Sequence, residues 1–130
     1  MTTTAAATGT RRHTGTYPAE PSQVRHARAA LAGWLDGCPQ ADEAILIASE
    51  FATNSVLHSA SRGGTFTVHA EITPDCLRIE VEDAGGPWRA GPSDDSRPHG
   101  FDVVTATAGP GNWGIEGDTS GRIAWARLGG

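Results

Sequence analysis

Lysine is absent from this 130-residue chain, and all ten basic residues are arginines. A Walker A phosphate loop depends on its lysine, and so does the active site of eukaryotic-type protein kinases. Neither machine is present. Any phosphate this chain holds has to be held by backbone amides, helix ends or a metal. Cysteine is scarce as well. Cys38 and Cys76 stand alone, no C-x-x-C occurs, and the five histidines show no metal-ligand spacing. That argues against a structural zinc site and for two free thiols in a cytosolic core. No apolar run approaches the roughly 18 residues of a membrane helix. Basic blocks are missing beyond Arg11 and Arg12, and 15 acidic against 10 basic residues give a net charge of −5. This charge balance argues against a nucleic-acid partner. The expectation is a soluble, cytoplasmic protein with no membrane or nucleic-acid partner.

The length fits one domain, and a chain of this size buries about two thirds of its unfolded surface. Residues 1–13 are too polar for a signal-peptide core and read as a flexible N-terminal tail, leaving residues 14–130 as the domain. Thr14 to Tyr17 reads as a short edge strand. Helical periodicity starts at Ser22, with Val24, Ala27, Ala30, Leu31, Trp34 and Leu35 on one stripe. Gly37, as a C′ glycine, and Pro39 end it. A second helix is expected from about Ala41 to Ala60, capped by Asp42 or Gln40, with aspartate the better cap. Ile45, Ile47, Ala48, Phe51, Ala52, Val56 and Leu57 cover most of its circumference, which predicts a mostly buried helix.

Thr65 to Ile72 and Cys76 to Asp83 both alternate apolar and polar residues around a Thr73-Pro74-Asp75 turn, a β-hairpin with one wet face. Residues 84–100 are dense in helix and strand breakers, Gly85, Gly86, Pro87, Gly91, Pro92, Pro98 and Gly100, and a loop this long in a compact domain is usually functional. A short helix over Phe101 to Ala108 and a second hairpin, Trp113–Glu116 with Arg122–Leu128, complete the chain. The order of elements predicts an α+β fold with helices on one face of a mixed, mainly antiparallel sheet.

Three features carry chemistry. Glu50, Asn54 and His58 lie at i, i+4 and i+8 on one stripe of an otherwise apolar helix. Either that stripe is solvated, or it faces a ligand, because burying such groups unpaired is costly. Asp83 continues the inward face of Leu77, Ile79 and Val81. It is either an ordinary turn aspartate or an acceptor for a donor such as the adenine amino group, with Gly85 letting a flat base approach the backbone. Gly100 precedes a helix, whose free N-terminal amides bind phosphate without lysine; a glycine there is also an ordinary helix start.

Glu-x-x-x-Asn on a helix, D-x-G after a hairpin and a glycine opening a late helix occur here in the order used by the Bergerat ATP-binding fold. Type II topoisomerases, sensor histidine kinases and bacterial anti-sigma serine kinases share that fold. Ser49-Glu50-Phe51-Ala52-Thr53-Asn54-Ser55-Val56-Leu57-His58 closely resembles the N box of the anti-sigma-factor-type serine/threonine kinases, usually S-E-L-V-T-N-A-V-x-H. Tyr17-Pro18 through Arg28, Leu77 to Asp83, Trp113-Gly114 and Gly121 through Leu128 resemble further parts of that group, so the likeness spans about residues 15–128. The resemblance implies a two-layer α/β sandwich and ATP with Mg²⁺ as cofactors. It implies Glu50 as general base, Asn54 as metal ligand, Asp83 and Gly85 at adenine, and Gly100 by the phosphates. His58 is typical of the group and carries no assigned role.

As partners the resemblance implies an anti-sigma antagonist-like protein or a sigma factor. The group often forms a homodimer, although the sequence shows no dimer face. Two departures stand out. Pro98-His99-Gly100-Phe101 replaces the usual G-R-G-L, and proline removes an amide donor. Ile123 aligns with a threonine often found near the adenine and cannot hydrogen-bond through its side chain. Two functions remain open: a kinase acting on a serine or threonine of a small partner, favoured by Glu50, and a non-catalytic switch that sequesters a partner, favoured by the departures. A domain without a ligand is the third alternative.

Overall fold

The computed structural model describes residues 10–58, 64–84, 100–118 and 121–129. Eight elements follow in order: β1 (Arg11–Pro18), α1 (Pro21–Trp34), α2 (Ala41–His58), β2 (Thr65–Ile72), β3 (Leu77–Asp83), α3 (Gly100–Ala108), β4 (Trp113–Asp118) and β5 (Gly121–Leu128). The strands form one sheet in the order β1-β2-β3-β5-β4. All four pairings are antiparallel, in keeping with the mainly antiparallel sheet expected, and no parallel pair occurs among the described residues. The helices pack on one face, giving the α+β sandwich that the element order predicts.

Alternation decides which face of each strand is buried. Phe66, Val68 and Ala70 of β2, Leu77, Ile79 and Val81 of β3, and Ala124, Ala126 and Leu128 of β5 form the sheet side of the core. Their neighbours form the open face: Thr67 and His69, Glu80 and Glu82, Ile123 and Trp125. The first hairpin closes as a threonine turn. Thr73 Oγ1 accepts from the amides of Asp75 and Cys76 at 3.2 and 3.1 Å, which satisfies two donors the turn would otherwise expose.

The helical side of the core comes from Val24, Ala27, Leu31 and Leu35 of the first helical segment and from Ile47, Ala48, Phe51, Ala52 and Val56 of α2. Burying a side chain such as Phe51 completely is worth about 1.5–3 kcal/mol. The burial of α2 is less complete than its composition predicts. Leu46 is 41% and Leu57 63% exposed, each at the mouth of an open cleft: Leu46 beside Arg28 of α1 and Leu57 beside Pro18 and Pro21. Ala30 is likewise exposed. Both cysteines are free and half-buried.

Three boundaries differ from the sequence expectations. β1 begins at Arg11, inside the stretch read as tail, because eight consecutive residues pair with β2 and Trp34 anchors their start. His13 stacks on Trp34 at 5.4 Å and the Arg11 guanidinium lies 5.1 Å from the same ring. Asp42 is not the cap of α2. The Gln40 carbonyl accepts the first helical bond, from Ala44, and Asp42 and Glu43 fall in the first turn, where they favour the positive end of the helix dipole. Leu35 caps α1, so Gly37 sits one place beyond C′, with the left-handed φ of +86° that glycine tolerates. No helix among the described residues is long and apolar enough to cross a membrane.

Candidate functional site

The site is built where the C-terminal half of α2 crosses the end of β3. Asn54 is only 5% exposed, which rules out the solvated-stripe reading of the polar positions on this helix. Its Oδ1 is buried and accepts no hydrogen bond from the described residues. A buried amide oxygen left unsatisfied costs about 1–3 kcal/mol, a cost that an ordered water, an ion or a ligand at Oδ1 would offset. Glu50, one turn earlier, is half-buried. It lines a cleft of about 400 Å³ together with Arg28 of α1 and Asp42, Ile45, Leu46 and Ser49 of α2. The two residues thus share a stripe, with the amide in the core and the carboxylate at an opening to solvent.

Asp83 points inward, as its alternation with Leu77, Ile79 and Val81 predicts, and is 7% exposed. The structure supplies partners that sequence reasoning did not foresee. Ser55 Oγ donates to Asp83 Oδ2 at 2.6 Å, and Arg122 Nη2 donates to the same oxygen at 2.8 Å. Ser55 directly follows Asn54, so its bond holds that turn of α2 against the end of β3. Arg122 is the residue opposite Asp83 in the β3–β5 register, and both side chains are almost fully buried.

Ile123 does not face this site. It pairs with exposed Glu82 and lies on the open face of the sheet, so its lack of a hydroxyl removes no contact here. The inward residue at this level of β5 is Arg122. The signal for it was available in the alternation of Arg122, Ala124, Ala126 and Leu128, which places arginine on the buried face opposite Asp83. Ser55 sits within the N box-like stretch, but nothing local in the sequence indicates its bond to a residue 28 positions away.

Gly100 is the first residue of α3, as expected. α3 is tied down at its other end. Trp113 Nε1 donates to Thr105 Oγ1 at 2.9 Å, Asn112 Nδ2 donates to the Ala108 carbonyl at 2.9 Å, and Val104 is fully buried. Gly85, Pro98 and the loop around them lie outside the described residues, as does the side chain of His58.

The model of the histidine kinase-like ATPase domain family matches residues 17–116 of the chain. The chain belongs to this family. The matched span contains Glu50, Asn54, Asp83, Gly85 and Gly100 and ends before Arg122. Among solved structures, the chain is similar to a crystal structure of the RsbU and RsbW domains of Rv1364c from Mycobacterium tuberculosis, with a TM-score of 0.69 and 21% identity. The alignment covers 91% of this chain and 32% of that one. At this identity the likeness is one of fold, and it agrees with the sandwich described above. No curated protein sequence matches the chain.

Proposed function

We propose that this domain binds ATP with Mg²⁺ and transfers the γ-phosphoryl group to a serine or threonine hydroxyl of a small partner protein of the anti-sigma antagonist type. The observation that carries this reading is the orphaned Oδ1 of Asn54, buried one helical turn from half-buried Glu50. Mg²⁺ takes oxygen ligands and keeps several waters, so one amide oxygen plus phosphates suits it. When bound, the ion would neutralise charge on the transferring phosphate.

The residues of the chain supply the rest. Asp83 accepts a hydrogen bond from the adenine amino group, beside Gly85. Gly100 opens α3 with amides suited to an anion. Glu50 takes the proton of the attacking hydroxyl as its oxygen bonds to the γ-phosphorus and the bond to the ADP oxygen breaks. Glu50 suits that role because it lies at an opening where a macromolecular substrate can reach it.

Calorimetric titration with ATP and Mg²⁺ tests the binding step. Absence of binding removes the reading. Transfer of labelled phosphate to a tightly bound partner then tests the kinase. A second reading, a partner-binding switch without phosphotransfer, is favoured by Pro98, which removes an amide donor two residues before Gly100. Nucleotide binding without transfer to any tightly bound partner would select it.

A further inference from the structure

We infer that Arg122 is the positioning residue of the base-reading carboxylate: from the facing strand it fixes the plane in which Asp83 meets a purine 6-amino group, and so sets how strongly adenine is preferred to purines lacking that group. This inference rests on the ATP-binding reading proposed above.

The geometry supports it in three ways. First, Asp83 and Arg122 are direct neighbours across β3 and β5, so their separation is set by the sheet and not by flexible loops. Second, Arg122 Nη2 and Ser55 Oγ both bond Oδ2, at 2.8 and 2.6 Å, from opposite layers of the sandwich. The terminal torsion of an aspartate is broad when unrestrained; two donors on one oxygen fix it. A carboxylate oxygen pair offers about four acceptor sites, so the Ser55 and Arg122 bonds do not by themselves exhaust the side chain's capacity to accept from a base amino group. Third, the other inward residues of β5, Ala124, Ala126 and Leu128, are apolar and small enough to pack as core.

An arginine at the head of that row is not required for packing. A buried ion pair is weak support for a fold, because apolar residues of similar volume hold it as well or better. What the pair does supply is direction, and the direction is imposed on the residue that the family likeness places at the base.

The test compares the affinity of the full chain for ATP and for purine riboside 5′-triphosphate, which lacks only the 6-amino group, both with Mg²⁺. In the wild type the amino group is expected to contribute about tenfold to hundredfold in affinity, the range of a hydrogen bond to a charged group. In Arg122→Met the ratio is expected to fall to about threefold or less, while affinity for the analogue changes little, because phosphate and metal contacts remain. Arg122→Lys, which restores a cationic donor, is expected to recover most of the ratio.

A merely structural arginine would lower both affinities together. An unchanged ratio in folded Arg122→Met therefore overturns the inference. Should Arg122→Met fail to fold, Ser55→Ala removes the hydroxyl bond on Oδ2 and is expected to reduce the ratio several-fold; an unchanged ratio there overturns it equally. Equal wild-type affinity for the two nucleotides overturns it while leaving ATP binding in place. Binding of neither overturns the ATP reading and this inference together.

Discussion

Asp83→Asn is the sharpest perturbation of the structure itself. The carboxylate accepts from Ser55 and Arg122 on one oxygen, and the Asp83 and Arg122 side chains are 2% and 6% exposed. The amide keeps an acceptor oxygen, so one bond can be remade, but the guanidinium loses its counter-charge. A lost hydrogen bond to a charged group is worth about 1.5–3 kcal/mol, and breaking a buried pair from one side costs about 3–5 kcal/mol. The expected loss is where these ranges meet, about 3 kcal/mol. For a domain of this size that lowers Tm by about 12 °C, and it leaves the protein folded if its stability lies within the usual range of about 5–15 kcal/mol.

Urea denaturation followed by tryptophan fluorescence measures it. Arg122→Met should cost a similar amount, and the double variant much less than the sum, because neither charge is then stranded. A loss below about 1 kcal/mol in both single variants, or a coupling energy below about 0.5 kcal/mol, would refute the buried pair.

Three further outcomes follow from the site and its surroundings. Glu50→Gln should bind ATP almost normally and lose about 10²–10⁴ in phosphotransfer rate, measured by single-turnover transfer to a bound partner. Asn54→Leu removes a buried acceptor that has no donor, so urea denaturation should show unchanged or higher stability, by up to about 1–2 kcal/mol, while calorimetry shows Mg²⁺-dependent nucleotide affinity lost. Gly117 has φ +124°, and a Cβ there would run into the Gly121 carbonyl and crowd the Arg122 backbone. Gly117→Ala should cost about 2–3 kcal/mol of stability, read from the same denaturation curves.

The elements themselves were legible because their signals are local. Period-two alternation located the first hairpin, the turn residues between Glu116 and Arg122 located the second, and the helical stripe of α1 identified Val24, Ala27 and Leu31. The polar positions of α2 could not be resolved from periodicity, since a solvated stripe and a ligand-facing stripe have the same spacing; only the burial of Asn54 separates them. Leu57, counted with the buried surface of α2, is exposed because composition does not say how many neighbours a helix has. The start of β1 was missed because Arg11 and His13 gain their hold from Trp34, 23 and 21 positions away by sequence number. Aligning Ile123 with a threonine near the base did not reveal that it occupies the other face, and attention to the strand's alternation would have pointed to Arg122.

Asn54 and Ser55 are consecutive, and the Ser55–Asp83 bond joins the turn that carries them to the end of β3. A ligand that engages Asn54 through a metal and Asp83 through a base therefore acts on one shared piece of backbone from two ends. Ordering that turn at one end spares part of the cost of ordering it at the other, so the two contacts are linked thermodynamically. By reciprocity, whatever factor the nucleotide base contributes to metal affinity, the metal contributes to base affinity. A nucleoside without phosphates and a metal without nucleotide would each be held weakly, and the joint occupant would be held by more than the sum of its parts.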